Sequence, residues 1–109
     1  MRNNQLLTQL QACAAVCNIC YHTCLEEEHR AEMRMCIEAN RDCADLCQLA
    51  ASFLVRHSIH TDRLLALVAE VCDLCAAECA RHEMDHCQRC AEVCRHTSNA
   101  CREAHVIVH

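Results

Sequence analysis

The sequence predicts an all-α protein, an antiparallel up-down-up-down four-helix bundle, and three observations predict it. The 109 residues contain no Gly and no Pro, the residues that punctuate turns, strands and kinks. Apolar and Cys positions recur at three- and four-residue steps in four separate stretches. The segments between those stretches are short, and short connections make successive helices antiparallel neighbours. Ala, Leu, Arg, Glu and Gln, all good helix formers, are common throughout. The length fits one domain, residues 1–109, with one core.

The first helix is expected from about Asn4 to Glu28, with a seam of Leu6, Leu10, Cys13, Cys17, Cys20 and Cys24. The second runs from about Ala31 to Arg56, with Met33, Cys36, Asn40, Cys43, Cys47, Ala50 and Leu54 on its seam. The third runs from about Asp62 to Arg81, with Leu65, Val68, Cys72, Cys75, Cys79 and then His82. The fourth runs from about Asp85 to His105, with Cys87, Cys90, Cys94, Thr97 and Cys101. Thr61-Asp62 and Asp85 are the candidate N-caps of the last two helices. Antiparallel alignment sets Cys13 against Cys47, Cys17 against Cys43 and Cys24 against Cys36. It sets Cys47 against Cys72 and Asn40 against Cys79 across the next pair. Between the first and fourth helices it sets Cys13 against Cys101, Cys20 against Cys94 and Cys24 against Cys90. The seams therefore stack into one column of cysteines.

Composition narrows the function. One Phe, one Tyr and no Trp cannot build a core, so cysteine, present fourteen times, must occupy it. That is above the roughly 8–10% that marks a special scaffold. Such a chain is either a secreted disulfide framework or a reduced metal-binding protein. No long apolar run and no small-residue cleavage site follow Met1-Arg2-Asn3-Asn4-Gln5, so the expected compartment is the cytoplasm. No apolar stretch approaches the roughly 18 residues that would span a bilayer. The net charge is −5 and the ten basic residues, all Arg, are scattered. A chain without a basic stripe is expected to bind neither nucleic acid nor an anionic membrane.

A lone buried Cys is a small hydrophobe, but fourteen of them on the seams would leave a tube of voids, each methyl-sized void costing about 1 kcal/mol. Disulfides between helical neighbours would be strained, and a reducing cytosol would open them. A soft metal remains: Cu(I), Zn(II) or an iron–sulfur cluster. Structural zinc takes closed sets of four ligands, usually in turns, and iron–sulfur clusters take four Cys from flexible loops. About three or four Zn(II) against fourteen thiolates would leave roughly −6 to −8 in the core, at four thiolates per ion. About fourteen Cu(I), each sulfur bridging two ions, would leave it neutral. The candidate ligands are Cys13, Cys17, Cys20, Cys24, Cys36, Cys43, Cys47, Cys72, Cys75, Cys79, Cys87, Cys90, Cys94 and Cys101.

The ladders Cys13-x3-Cys17-x2-Cys20-x3-Cys24, Cys36-x6-Cys43-x3-Cys47, Cys72-x2-Cys75-x3-Cys79 and Cys87-x2-Cys90-x3-Cys94-x6-Cys101 carry a resemblance. Over essentially its whole length the chain resembles the bacterial copper storage proteins, four-helix bundles with Cys-lined cores that hold many Cu(I) ions. It looks like their cytosolic branch. The resemblance implies a homotetramer that sequesters copper, with delivery by a copper chaperone as an expected partnership.

The two ends of the column differ. Leu6, Leu10, Phe53, Leu54, Leu65 and Val68 are expected to plug one end. Met33, His82 and His86 lie on or beside seams at the other, near His29, Met35, Met84, Glu27 and Glu28, and form a candidate mouth of soft, neutral ligands for passing ions. His22 falls between seam positions and is expected on the surface. Asn40, the polar residue of the column, could ligate copper, hydrogen-bond a sulfur or fix register. His57, His60, His105 and His109 gather at the plugged end, as a second weak metal site or as exposed helix-end residues. The expected function is storage of multiple Cu(I) ions. The competing readings are an iron–sulfur or thiol redox protein and a zinc-binding structural module. No nucleophile–base–orienter set points to an enzyme.

Overall fold

The computed structural model describes residues 2–104. They form α1 (Arg2–Leu25), α2 (Arg34–Val55), α3 (Thr61–Ala80) and α4 (Asp85–Glu103). α1 packs against α2 and α4, and α3 packs against the same two, which gives a four-cornered bundle. Sulfur contacts fix the directions. Cys24 meets Cys36 and Cys13 meets Cys43, so α1 and α2 run in opposite senses. Cys36 meets Cys79 and Cys43 meets Cys72, which makes α2 and α3 antiparallel. His86 meets Cys20 while Cys94 meets Cys13, so α4 also opposes α1.

The helices lie where the periodicity puts them, with informative differences at their ends. α1 stops at Leu25 and not at Glu28. Glu26, Glu27 and Glu28 would add three like charges at the negative end of the helix dipole, which disfavours continuing the helix. The chain crosses to α2 through consecutive turns, in which the Glu26 N–H bonds Thr23 O at 3.0 Å and the Met33 N–H bonds Arg30 O at 3.0 Å. This connection is longer than the sequence suggested. The two expected caps are not made. Thr61 is buried in the first turn of α3, and its hydroxyl donates backward to Ser58 O (2.7 Å) and Phe53 O (3.3 Å). Asp85 opens α4 behind an extended Met84, with no side-chain cap bond. Both helices keep an acidic residue, Asp62 or Asp85, in the first turn, where the dipole favours it.

The plug forms as expected from Leu6, Leu10, Leu54, Leu65 and Val68, all buried. Phe53 does not join it. It is half-buried, with the Arg56 guanidinium 4.6 Å over its ring. The register between α1 and α4 also differs from the expected one by one to two turns. Cys13 and Cys17 both contact Cys94, at 4.0 and 3.6 Å, and Gln9 donates to Thr97 at 2.9 Å. Cys101 is thereby carried past Cys13 toward the plugged end.

Candidate metal centre

All fourteen cysteines are free thiols and all are buried. They occupy inward seam positions, so each helix contributes a line of sulfurs to the axis. The lines merge into overlapping groups whose donor atoms all lie within 4.8 Å of one another. Deepest are Cys13/Cys43/Cys47/Cys72 and Cys13/Cys17/Cys43/Cys94, which share Cys13 and Cys43. Next come Cys17/Cys75/Cys90/Cys94 and Cys20/Cys79/Cys90. The last is Cys20/Cys24/His86/Cys87, at the mouth. Contacts between sulfurs along this path run from 3.4 Å (Cys43–Cys72) to 4.0 Å (Cys13–Cys17). Because neighbouring groups share sulfurs, they form a chain and not a set of closed sites.

Two cysteines stand outside these groups. Cys36 still touches Cys79 at 3.3 Å and Cys24 at 4.0 Å. Cys101 joins no group among the described residues, and burial pushes its thiol up to about 12.

Asn40 sits in the middle of the column, 0% exposed, and its amide bonds sulfur on three helices. Its Oδ1 accepts from Cys90 (3.2 Å), Cys75 (3.3 Å) and Cys79 (3.6 Å), and its Nδ2 donates to Cys36 Sγ at 3.7 Å. Of the three roles the sequence left open, hydrogen bonding to sulfur is the one this geometry makes.

The mouth sorts its candidates. His86 comes inward, with Nδ1 3.4 Å from Cys20, 3.6 Å from Cys87 and 4.0 Å from Cys24. Its Nε2 pairs with Glu27 Oε1 at 3.0 Å. Met33 is buried in the core. His82 turns away from sulfur to Glu78, at 2.9 Å, a partner its four-residue spacing could have disclosed. Met84 is half-buried, and His29 and Met35 are exposed. At the far end His57 and His60 are exposed, while His105 and His109 lie outside the described residues. His22 is on the surface beside Glu26.

Electrostatics at the mouth are uneven. Hydrogen bonds from Cys36 and Cys79, with a smaller one from His86, lower the Cys20 thiol to about 6, so it is the ready thiolate. Burial, with repulsion from Cys20, raises Cys24 to about 12. Burial also raises Cys87. Burial opposes a charged His86, but Cys20 and Glu27 together outweigh it and lift its pKa above the ordinary 6.5.

A helical bundle with a buried, continuous thiol column is a soft-metal protein in its donor chemistry. The profile of the copper storage protein family matches residues 1–106, and the chain belongs to that family. A cysteine-rich protein of Bacillus subtilis, YhjQ, is 39% identical over 90 residues, 83% of each chain. The Cu(I)-bound copper storage protein BsCsp3 superposes with a TM-score of 0.90 at 34% identity, covering 94% of this chain and 96% of its own. The copper storage protein of Streptomyces lividans, solved loaded with 10 copper equivalents, gives a TM-score of 0.90 at 37% identity, covering 94% of this chain and 82% of its own.

Proposed function

We propose that this chain stores copper, taking up many Cu(I) ions, about one per thiol, along the column. The observation that carries the reading is the sharing of sulfurs between adjacent groups. Shared thiolates suit a monovalent soft ion that accepts two or three ligands, and a one-to-one ratio leaves the sealed core neutral. All fourteen Cys are ligands in this reading, His86 is the mouth ligand, and Met33, Asn40 and His82 are auxiliary.

The whole chain acts as one domain, resides in the cytoplasm and is not an enzyme. It receives copper from a chaperone and assembles as a homotetramer, which the exposed apolar side chains Ile19, Leu67 and Leu74 favour. The family membership and the cytosolic Streptomyces relative support the setting.

The test is an anaerobic titration of reduced protein with Cu(I) against a chromophoric chelator. It should saturate on the order of a dozen ions per chain, as bridging thiolates predict. Saturation at three or four ions would replace the array with discrete closed sites.

A further inference from the structure

We infer that the mouth group Cys20/Cys24/His86/Cys87 is a discrete tetrahedral site competent for one Zn(II) ion, different in kind from the all-thiol groups beneath it. This goes beyond copper storage and does not depend on it.

The donor set is the Cys3His set of structural zinc sites, drawn from α1 and α4. The spacing fits. Bonds of about 2.3 Å to sulfur and about 2.05 Å to nitrogen give tetrahedral edges of about 3.8 Å (S···S) and about 3.6 Å (S···N). Cys20 and Cys24 are 3.9 Å apart. The His86 Nδ1 lies 3.4, 3.6 and 4.0 Å from Cys20, Cys87 and Cys24.

Edges alone do not single out the mouth, because the deep thiols are spaced similarly, as at Cys13–Cys43, 3.9 Å. Three other features do. The first is charge. Zn(II) with four thiolates leaves −2 in a core where Cys13, Cys17 and Cys94 are 0% exposed. With three thiolates and a neutral imidazole it leaves −1, beside a His86 side chain that is 17% exposed. The second is exclusivity: Cys24, His86 and Cys87 each belong to this group alone, and only Cys20 is shared, with Cys79 and Cys90, so closing on one ion draws a single sulfur from the next group. The third is the partner of His86. Glu27 takes the far nitrogen at 3.0 Å, so the neutral imidazole that binds a metal keeps its proton on Nε2 and turns Nδ1 to the ion. That carboxylate–histidine pair is the usual support of a zinc-bound imidazole. Glu27 is here a positioning residue, on the turn that follows α1. Binding displaces the protons of the three thiols into solvent, so each Zn(II) releases up to three H⁺.

The experiment is an anaerobic titration of the metal-free, reduced full-length chain with Co(II), followed by Zn(II) back-titration, with Cu(I) titrated separately. The expected result is one Co(II) per chain, showing the intense visible ligand-field bands of a tetrahedral thiolate-rich site and displaced by one Zn(II). His86→Ala should change the band envelope and weaken binding. Glu27→Ala, which touches no metal, should weaken it about 10–100-fold with the bands nearly unchanged. His96→Ala, exposed elsewhere on α4, should do neither. Saturation at several Co(II) per chain, indifferent to His86→Ala, would assign divalent ions to the all-thiol groups and overturn the inference, as would no tetrahedral spectrum. The Cu(I) capacity is read independently, so loss of one result leaves the other standing.

Discussion

At the scale of the residue, Asn40 shows how a polar side chain belongs in a sulfur core. Three S–H groups point at one amide oxygen, and the amide nitrogen completes the set on Cys36. Removing the amide leaves those donors in a sealed interior. Asn40→Ala should therefore cost the metal-free protein about 1–3 kcal/mol, the penalty for stranding buried polar partners. Urea unfolding under reducing conditions measures it, and an unchanged midpoint would mean the amide is idle. Asn40→Asp should cost more, since a carboxylate there would be a buried charge among thiols. The seam position of Asn40 is legible from spacing. Its role is not, because that depends on which sulfurs α3 and α4 bring opposite.

At the scale of the element, a chain without glycine still has to end its helices. α2 closes with Ser58 N–H on Phe53 O at 3.0 Å and His57 N–H on Leu54 O at 3.2 Å. This is the Schellman pattern, with His57 at φ 55° in the left-handed place glycine normally fills. A side chain there costs about 1 kcal/mol. His57→Gly should recover up to about that much, read as a higher thermal midpoint, and a β-branched His57→Val should lower it. A drop in stability for the glycine variant would assign His57 a contact that outweighs the backbone. The same scale explains the register that spacing missed. Cys87, Cys90 and Cys94 repeat the spacing of Cys17, Cys20 and Cys24, so sliding α4 along α1 by a turn or two lays one ladder nearly onto itself. A ladder that regular announces the face it buries but not its height. The height is set by the turn at 81–84 and by contacts such as Gln9 to Thr97.

At the scale of the whole molecule, the column makes stability depend on alkaline pH. Folding raises Cys24 and Cys101 from 9.0 to about 12, chiefly by burial. An acid raised on folding supports the folded state while it stays protonated, so the support is full below pH 9 and is lost as pH climbs toward 12. Cys20 runs the other way: lowered to about 6, its contribution is present above 9 and fades as pH falls to 6. It therefore cannot mask the alkaline loss. The melting temperature of metal-free protein should fall steadily above pH 9. Copper-loaded protein, whose thiols have already given up their protons, should melt higher and lack that fall. Calorimetry across the range decides it, and parallel curves for the two forms would remove copper from the core. Filling also has a direction: His86→Ala should slow uptake from a chelator, whereas Leu10→Ala with Leu54→Ala should not speed it. Several-fold faster loading in the second variant would put the door at the plugged end.

A shaft sealed at one end keeps its contents in order. With Leu6, Leu10, Leu54 and Leu65 across the bottom, the ions beside Cys47 and Cys72 can leave only after those nearer Cys20 have moved. The store then works as a stack, in which the latest arrival is the first recovered. A cell drawing on it would meet a fast, shallow fraction and a slow, deep one, although both are held mainly by sulfur.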